Sequence, residues 1–211
     1  MNSNEKMIEK MIDSKVLKTD YIIDAFKKVD RKNFCIEEYK ELAYIDKPLP
    51  ILAEQTISQP TTVAMMTEAI KPSKNDKVLE IGAGSGYQAA ILAEIVKPGK
   101  VYTIERIKEL YDFAKQNLKD YENVEVIYGD GSKGLEEKAS FDCIIVTAGA
   151  PKVPEILKQQ LKIGGKMIIP VGENNYYQKM QLVKRKSNEF EITDLGYFAF
   201  VPLIGTHGFE E

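Results

Sequence analysis

Apolar and polar positions alternate along this chain with two different periods, and the change of period divides it. Near the N-terminus, Met7, Ile8, Met11, Ile12 and Val16 recur at helical spacing with charges between them, which predicts an amphipathic helix within 4–16. Thr19 or Asp20 caps a second helix over 21–29, whose apolar face is Ile22, Ile23, Phe26 and Val29. The run 30–34 breaks the pattern. The stretch 39–50 carries aromatics, charges and Pro48 and Pro50, and reads as an irregular but ordered loop. A third helical run, with Val63, Met66, Ala69 and Ile70, follows Ser58-Gln59-Pro60 and ends at Lys71-Pro72-Ser73. Ser is a preferred N-cap and Pro is tolerated in a first helical turn, so Ser58 reads as the cap of that helix or as a residue facing a ligand pocket, two compatible roles.

Beyond residue 77 short apolar runs alternate with helical ones. Strands are predicted over 77–81, 101–104, 124–128, 141–147 and 167–171. Between them lie helices over 86–96 and 108–119 and another around 154–161, with turns at 97–100 and 162–166. The run Phe141-Asp142-Cys143-Ile144-Ile145-Val146-Thr147 is nearly all apolar, as a strand buried on both faces requires. Segments 179–185 and 190–195 instead alternate strictly, with Lys186-Ser187-Asn188-Glu189 between them, and form a β-hairpin. The fold class is therefore α/β: a mostly parallel, doubly wound sheet closed by an antiparallel C-terminal hairpin. It is read as one domain over 1–211, with an N-terminal helical extension and loop (1–57) and a core (58–211).

Composition narrows this little. The chain has 211 residues, enough for one well-buried core, and a formal charge of −3, so no bulk basic character points to nucleic acid. Cys35 and Cys143 lie far apart and outside any C-x-x-C pattern. That argues against a zinc site or a disulfide framework and fits a reducing compartment. The N-terminal residues carry charges every few positions without an apolar core, unlike a signal peptide, and no run approaches the ~20 apolar residues of a membrane span. The expectation is a cytoplasmic protein without metal or membrane, acting as a monomer.

The chemistry centres on Val78-Leu79-Glu80-Ile81-Gly82-Ala83-Gly84-Ser85-Gly86-Tyr87, a strand, a glycine turn and a helix start. Such a turn brings a ligand close to backbone N–H groups. A dinucleotide fingerprint needs G-x-G-x-x-G. Here Tyr87 stands in the third glycine's place and the loop is G-x-G-x-G behind the acidic Glu80, which resembles the S-adenosylmethionine loop of Rossmann-like methyltransferases. The plainer alternative is an ordinary glycine-rich turn. Glu105 ends the second strand 19 residues after Gly86, and is either a solvent-facing strand end or, as the position favours, an acceptor for ribose hydroxyls. Asp130, between Gly129 and Gly131 after the third strand, is either a simple turn residue or an acceptor for an adenine amino group in the crevice.

The resemblance becomes specific over several segments. Thr56-Ile57-Ser58-Gln59-Pro60, the glycine loop, Thr103-Ile104-Glu105-Arg106, Gly129-Asp130-Gly131, Phe141 to Pro151, Gly164 to Gly172 and Phe200-Val201-Pro202-Leu203 occur in this order. Together they resemble the protein L-isoaspartate (D-aspartate) O-methyltransferase family over nearly the whole length. The Ile-Ser-Gln-Pro block and the Val-Pro-Leu tail are the most restrictive.

That resemblance implies a repair methyltransferase acting on the carboxylate of L-isoaspartyl and D-aspartyl residues in damaged proteins and peptides. S-adenosyl-L-methionine would be the methyl donor and S-adenosyl-L-homocysteine the product. Gly82, Ala83 and Gly84 would hold its methionine part, Glu105 with neighbouring Arg106 its ribose side, and Asp130 with the Gly131 backbone the adenine. Ser58 would be the catalytic residue, orienting the substrate carboxylate, with Gln55, Thr56 and Ile57 lining the same wall. Thr61, Thr62 and Val63 stand where many relatives carry histidine or methionine, so those relatives' histidine contacts do not carry over. Tyr44, Tyr87, Tyr176 and Tyr177 are aromatics able to wall a peptide groove.

The chemistry agrees with what the chain lacks. Its one histidine is His207, read as a surface or packing residue, so a Ser–His or Cys–His hydrolase arrangement has no base. A carboxylate is already ionised at neutral pH, and its methylation needs none. The runner-up is another methyltransferase on this fold, acting on RNA or a small molecule. Against it, Thr147-Ala148-Gly149-Ala150-Pro151 stands where many nitrogen-directed nucleic-acid enzymes carry a D/N-P-P-[YF] motif. A nicotinamide oxidoreductase is disfavoured by the missing fingerprint glycine and by the terminal hairpin, and a non-catalytic binding module differs from the enzyme only in activity.

Overall fold

The computed structural model describes residues 3–173 and 177–210. Helices α1 (Asn4–Asp13) and α2 (Asp20–Lys28) bury the predicted apolar stripes. Thr19 stands at the N-cap of α2, but its hydroxyl donates to Glu68 at 2.8 Å rather than capping the helix. The patternless stretch that follows forms two 3₁₀ turns, Arg31–Phe34 and Glu37–Leu42.

A small hairpin of β1 (Leu49–Pro50) and β2 (Thr56–Ile57) comes next. Its turn passes through Ala53 and Glu54, at φ 53° and 56°. The expected loop thus ends in paired backbone. Helix α3 (Pro60–Ile70) has Gln59, not Ser58, as its N-cap, and Pro60 fills the first turn. The expectation that Ser58 caps this helix is corrected. Pro60 supplies the preset φ of a first helical residue, which puts the cap one position later.

The main sheet follows the predicted alternation: β3 (Lys77–Ile81), α4 (Tyr87–Val96), β4 (Lys100–Glu105), α5 (Lys108–Asn117), β5 (Val124–Tyr128), β6 (Phe141–Val146), α6 (Glu155–Gln159), β7 (Leu161–Val171), β8 (Gln178–Arg185) and β9 (Phe190–Phe198). Among the described residues its order is β5-β4-β3-β6-β7-β8-β9, parallel from β5 to β7, with β8 antiparallel to both β7 and β9. The chain winds outward from β3 to β5, then crosses to β6 on the other side. β3 and β6 therefore flank the topological switch point, where open α/β sheets bind ligands.

The turn expected at 162–166 is instead part of β7. Phe141 pairs with Leu161 and Cys143 with Lys166, so the intervening β7 residues loop out opposite Asp142. Gly164, at φ 84°, makes this possible, and Lys162 bonds the Asp142 carboxylate across the bulge at 2.7 and 2.8 Å. A second irregularity breaks the β8–β9 register between Lys179 and Gln181, near Gly196 at φ 103°.

The two faces of the sheet are buried differently. On one, Val78, Val101, Ile145 and Ile168 join the apolar faces of α1 to α5 in a single cluster that includes Phe26 and Phe34. On the other, Leu79, Ile81, Ile144 and Met167 pack with Leu157 of α6 and with Leu203 from the C-terminal segment. The N-terminal helices are thus continuous with the core on the α4–α5 side, as a cover over one face.

Candidate active site

The carboxyl ends of β3 and β4 build the floor of a cleft of about 1070 Å³, part of it open to solvent. The sheet positions its parts directly. Gly82 N–H donates to the Ile104 carbonyl at 2.9 Å and Thr147 N–H to the Ile81 carbonyl at 2.9 Å, so the ladder extends past the last paired residues. Gly82 adopts φ 94°, and a Cβ there would run into the Thr147 hydroxyl, which itself donates to the Gly82 carbonyl at 2.7 Å. Gly84 and Gly86 are also at positive φ, and Gly86 precedes the first residue of α4. The loop therefore presents backbone at close range to the cleft, as the glycine pattern predicts.

Two carboxylates underlie this loop. Glu105, 5% exposed, accepts from Gly84 N–H and Ile107 N–H, both at 3.0 Å. A carboxylate has about four acceptor positions, so two remain for hydroxyl groups in the cleft. Glu80 is fully buried and lines the cleft, with one oxygen taken by the Thr103 hydroxyl and Oε1 without a partner. Burial, with the nearby Glu105 charge adding to it, pushes Glu80 up to about 8. The sequence reading noted Glu80 only as the residue before the loop; its unpartnered buried oxygen is what marks it as part of the site.

The opposite wall comes from β2 and the segment before α3. Gln55, Thr56, Ile57 and Ser58 all line the cleft, as do Gly82, Ala83, Gly84, Glu105, Arg106 and Gly131. Gly131 packs close enough to β3 that a Cβ there would lie 2.6 Å from Ile81 Cγ2. Asp130, the residue before Gly131, bonds to the C-terminal segment. It is not among the lining residues. Its carboxylate accepts from the Ser132 N–H and hydroxyl (2.9 and 2.6 Å) and from the Thr206 N–H and hydroxyl (3.0 and 2.9 Å). Burial alone would raise its pKa, but these bonds outweigh burial and hold it below the usual value.

Asp130 thereby ties down the C-terminal segment, whose Val201, Pro202, Leu203 and Ile204 complete the cleft. That segment is stitched to the end of β6 by Gly149 N–H to the Val201 carbonyl (2.8 Å) and Leu203 N–H to the Gly149 carbonyl (2.7 Å). The Val-Pro-Leu block was conspicuous in the sequence; its place in the wall was not, because nothing local pairs it with residue 149.

Of the aromatics, Tyr87 lines the cleft with its ring buried against Phe26 and Phe34, and Tyr44 donates to Asp30. Tyr177 is 73% exposed and Tyr176 lies outside the described residues. His207 is exposed, and its main-chain N–H donates to the Ser132 hydroxyl at 3.0 Å.

The residues present fit S-adenosylmethionine. A glycine cradle, an acidic residue after the second strand with spare acceptor positions, and a buried carboxyl oxygen free to accept a hydrogen bond suit such a nucleoside. Comparison with known proteins decides the lineage. The family model for protein-L-isoaspartate(D-aspartate) O-methyltransferase matches residues 2–208. The chain belongs to this family. It is 48% identical to the protein-L-isoaspartate O-methyltransferase of Methanopyrus kandleri, over 99% of this chain and 94% of that one. It is 49% identical to that of Pyrococcus horikoshii, over 98% and 95%. Among solved structures, a Plasmodium falciparum chain described as a protein-L-isoaspartate O-methyltransferase in complex with S-adenosyl-L-homocysteine superposes with a TM-score of 0.84. It is 28% identical and covers 97% of this chain and 99% of that one. The family's cofactor thus agrees with the cleft, and the fold is the family's Rossmann-like methyltransferase fold.

Proposed function

We infer that this protein is an S-adenosylmethionine-dependent protein carboxyl O-methyltransferase that repairs L-isoaspartyl and D-aspartyl residues in damaged proteins and peptides. The observation that carries this reading is the pairing, in one cleft, of the Gly82–Gly84 cradle over Glu105 with the Ser58 wall opposite it. When bound, the cofactor supplies an electrophilic methyl group on a cationic sulfur. A substrate carboxylate oxygen attacks that carbon, the O–CH₃ bond forms as the S–CH₃ bond breaks, and the two opposite charges disappear without any proton moving. The chain therefore has to position and desolvate rather than to abstract.

In this reading Ser58, the catalytic residue, orients the carboxylate through its hydroxyl, with Gln55, Thr56 and Ile57 as the rest of that wall. The Gly82, Ala83 and Gly84 backbone holds the methionine part of the cofactor, and Glu105 takes the ribose hydroxyls, with Arg106 beside it at the rim. Gly131 backs the adenine, and Asp130 fixes the turn at 205–207 against that region. The partners are isoaspartyl-containing proteins and peptides rather than nucleic acid or membranes. Among the described residues no helix is long and apolar enough to cross a membrane and no acidic, His or Cys cluster suits a metal. Action as a cytoplasmic monomer completes the proposal.

The deciding experiment uses labelled S-adenosylmethionine with paired peptides that differ only in an isoaspartyl or aspartyl linkage. Label is expected in the isoaspartyl peptide as a base-labile methyl ester. Equal or absent labelling of the pair would defeat the repair reading, and label in RNA or in small acceptors instead would favour the rival methyltransferase.

A further inference from the structure

Arg31 is 0% exposed and belongs to no part of the cleft lining. Its guanidinium nevertheless joins three stretches of chain. Nε donates to the Ala43 carbonyl at 2.8 Å, Nη1 to the Ser58 carbonyl at 2.6 Å and Nη2 to the Lys47 carbonyl at 3.3 Å. The guanidinium carbon also lies 5.4 Å from the centroid of the Tyr87 ring, and Tyr87 opens α4 and lines the cleft. The acceptors are main-chain carbonyls, so the charge is not cancelled by a hydrogen-bonded carboxylate. Burial lowers the pKa of the group, but a guanidinium stays protonated in proteins. Burying a cation in this way is costly, and an apolar side chain would fill the space at less expense. What an apolar side chain could not do is fix three carbonyls in one plane.

The shortest of those bonds goes to Ser58. The same segment is held from the outside by the exposed Asp46, which accepts from Gln59 Nε2 at 3.0 Å, the Thr61 N–H at 3.0 Å and the Thr61 hydroxyl at 2.7 Å. Gln59, the N-cap of α3, makes no side-chain capping bond of its own. The entry to α3 is thus held by a bracket, Arg31 inside and Asp46 outside, with Ser58 against its inner arm.

We propose that Arg31 is a positioning residue for the methyl transfer: its fork, backed by Asp46, fixes the Ser58 main chain and so aims the Ser58 hydroxyl at the substrate carboxylate. This rests on the reading of Ser58 given above. Lysine retains the charge at position 31 but cannot reproduce the planar fork.

The test is a double-mutant cycle of Arg31→Lys and Ser58→Ala. It measures kcat and KM for an isoaspartyl peptide, the Kd for S-adenosylhomocysteine and circular dichroism. Small displacements of a reacting group can cost on the order of 100-fold in rate. Ser58→Ala is expected to lower kcat about 10- to 100-fold, and Arg31→Lys about 10-fold, each with the Kd changed by less than about threefold. The double variant should be no more than about threefold slower than Ser58→Ala alone, since the group that Arg31 aims is then already gone. Full multiplication of the two losses would overturn the proposal, as would a wild-type kcat in Arg31→Lys or a loss confined to cofactor binding. A wild-type kcat in Ser58→Ala would remove the role of Ser58 first and that of Arg31 with it. If circular dichroism shows Arg31→Lys unfolded, the exposed Asp46→Asn takes its place in the cycle. Non-additivity with Ser58→Ala then supports the bracket, and additivity overturns it.

Discussion

The wall of the cleft formed by β3 and β4 and the wall formed by Gln55 to Ser58 are held by different means. The first is an extension of the sheet. Gly82 and Thr147 continue the backbone ladder, and Glu105 braces the loop through two main-chain N–H groups. The second has only a two-residue strand pair beneath it and depends on side chains from the N-terminal extension, Arg31 and Asp46 above all. One wall is thus held by main-chain bonds to neighbouring strands, the other by side chains 13 to 27 positions away. The difference separates the two tasks of the cleft. In the function proposed above, the first wall serves the cofactor and the second, held by side chains outside the cleft lining, serves the substrate.

The sharpest way to break this contrast is Gly82→Ala. The new Cβ meets the Thr147 hydroxyl, which is itself committed to two carbonyls, and the backbone stays at positive φ. A stability loss of about 2–4 kcal/mol is expected, read from denaturant unfolding. The Kd for S-adenosylhomocysteine should rise at the same time. An unchanged Kd would mean that the sheet-built wall does not hold the cofactor. A smaller effect is expected from Glu105→Gln. The amide can accept from only one of the Gly84 and Ile107 N–H groups, leaving the other facing an NH₂. A loss of about 1–3 kcal/mol in cofactor binding follows, measurable by calorimetry, with peptide KM little changed. If peptide KM moves instead, the two walls are not separate.

The third effect is one of pH. Glu80 has its pKa raised to about 8 by burial, against an ordinary value of 4.5. Between these values the unfolded chain has lost the proton that the folded chain keeps, so stability falls as pH rises through that window. Glu80→Gln should flatten the dependence of Tm on pH between about 5 and 8, as followed by scanning calorimetry at several pH values. A slope identical to that of the wild type would place the titration elsewhere.

How much of this was legible in the sequence follows the same division. The strands β3 to β6, the glycine loop and Glu105 could be read directly, because apolar runs and glycine spacing are local signals. The β1–β2 hairpin could not. Its turn uses Ala53 and Glu54 at positive φ, where a sequence reading expects Asn and Gly. Ser58 was placed in the site but misjudged as a cap, since Pro60 permits either Ser58 or Gln59 as the boundary. Asp130 is conspicuous at its strand end, but its bonds to Thr206 span 76 positions and leave no local trace. Arg31 gave no signal at all: an arginine in a charged stretch looks solvated until the fold closes over it. The bulge in β7 was mistaken for a turn because its Gly164-Gly165 pair is compatible with both.

The last strand bears on how such a protein survives its surroundings. β9 is an edge strand with Ile192, Leu195 and Tyr197 exposed, the kind of border onto which loose polypeptide adds itself. The family acts on isoaspartyl protein substrates, which bring polypeptide to its surface. The broken register opposite Lys179 and Gln181, the kink at Gly196 and the charges of Glu191 and Asp194 interrupt that border. These are the devices by which sheet edges resist aggregation. The irregularity in β9 is in this sense a form of hygiene: it makes the edge a poor template for a further strand.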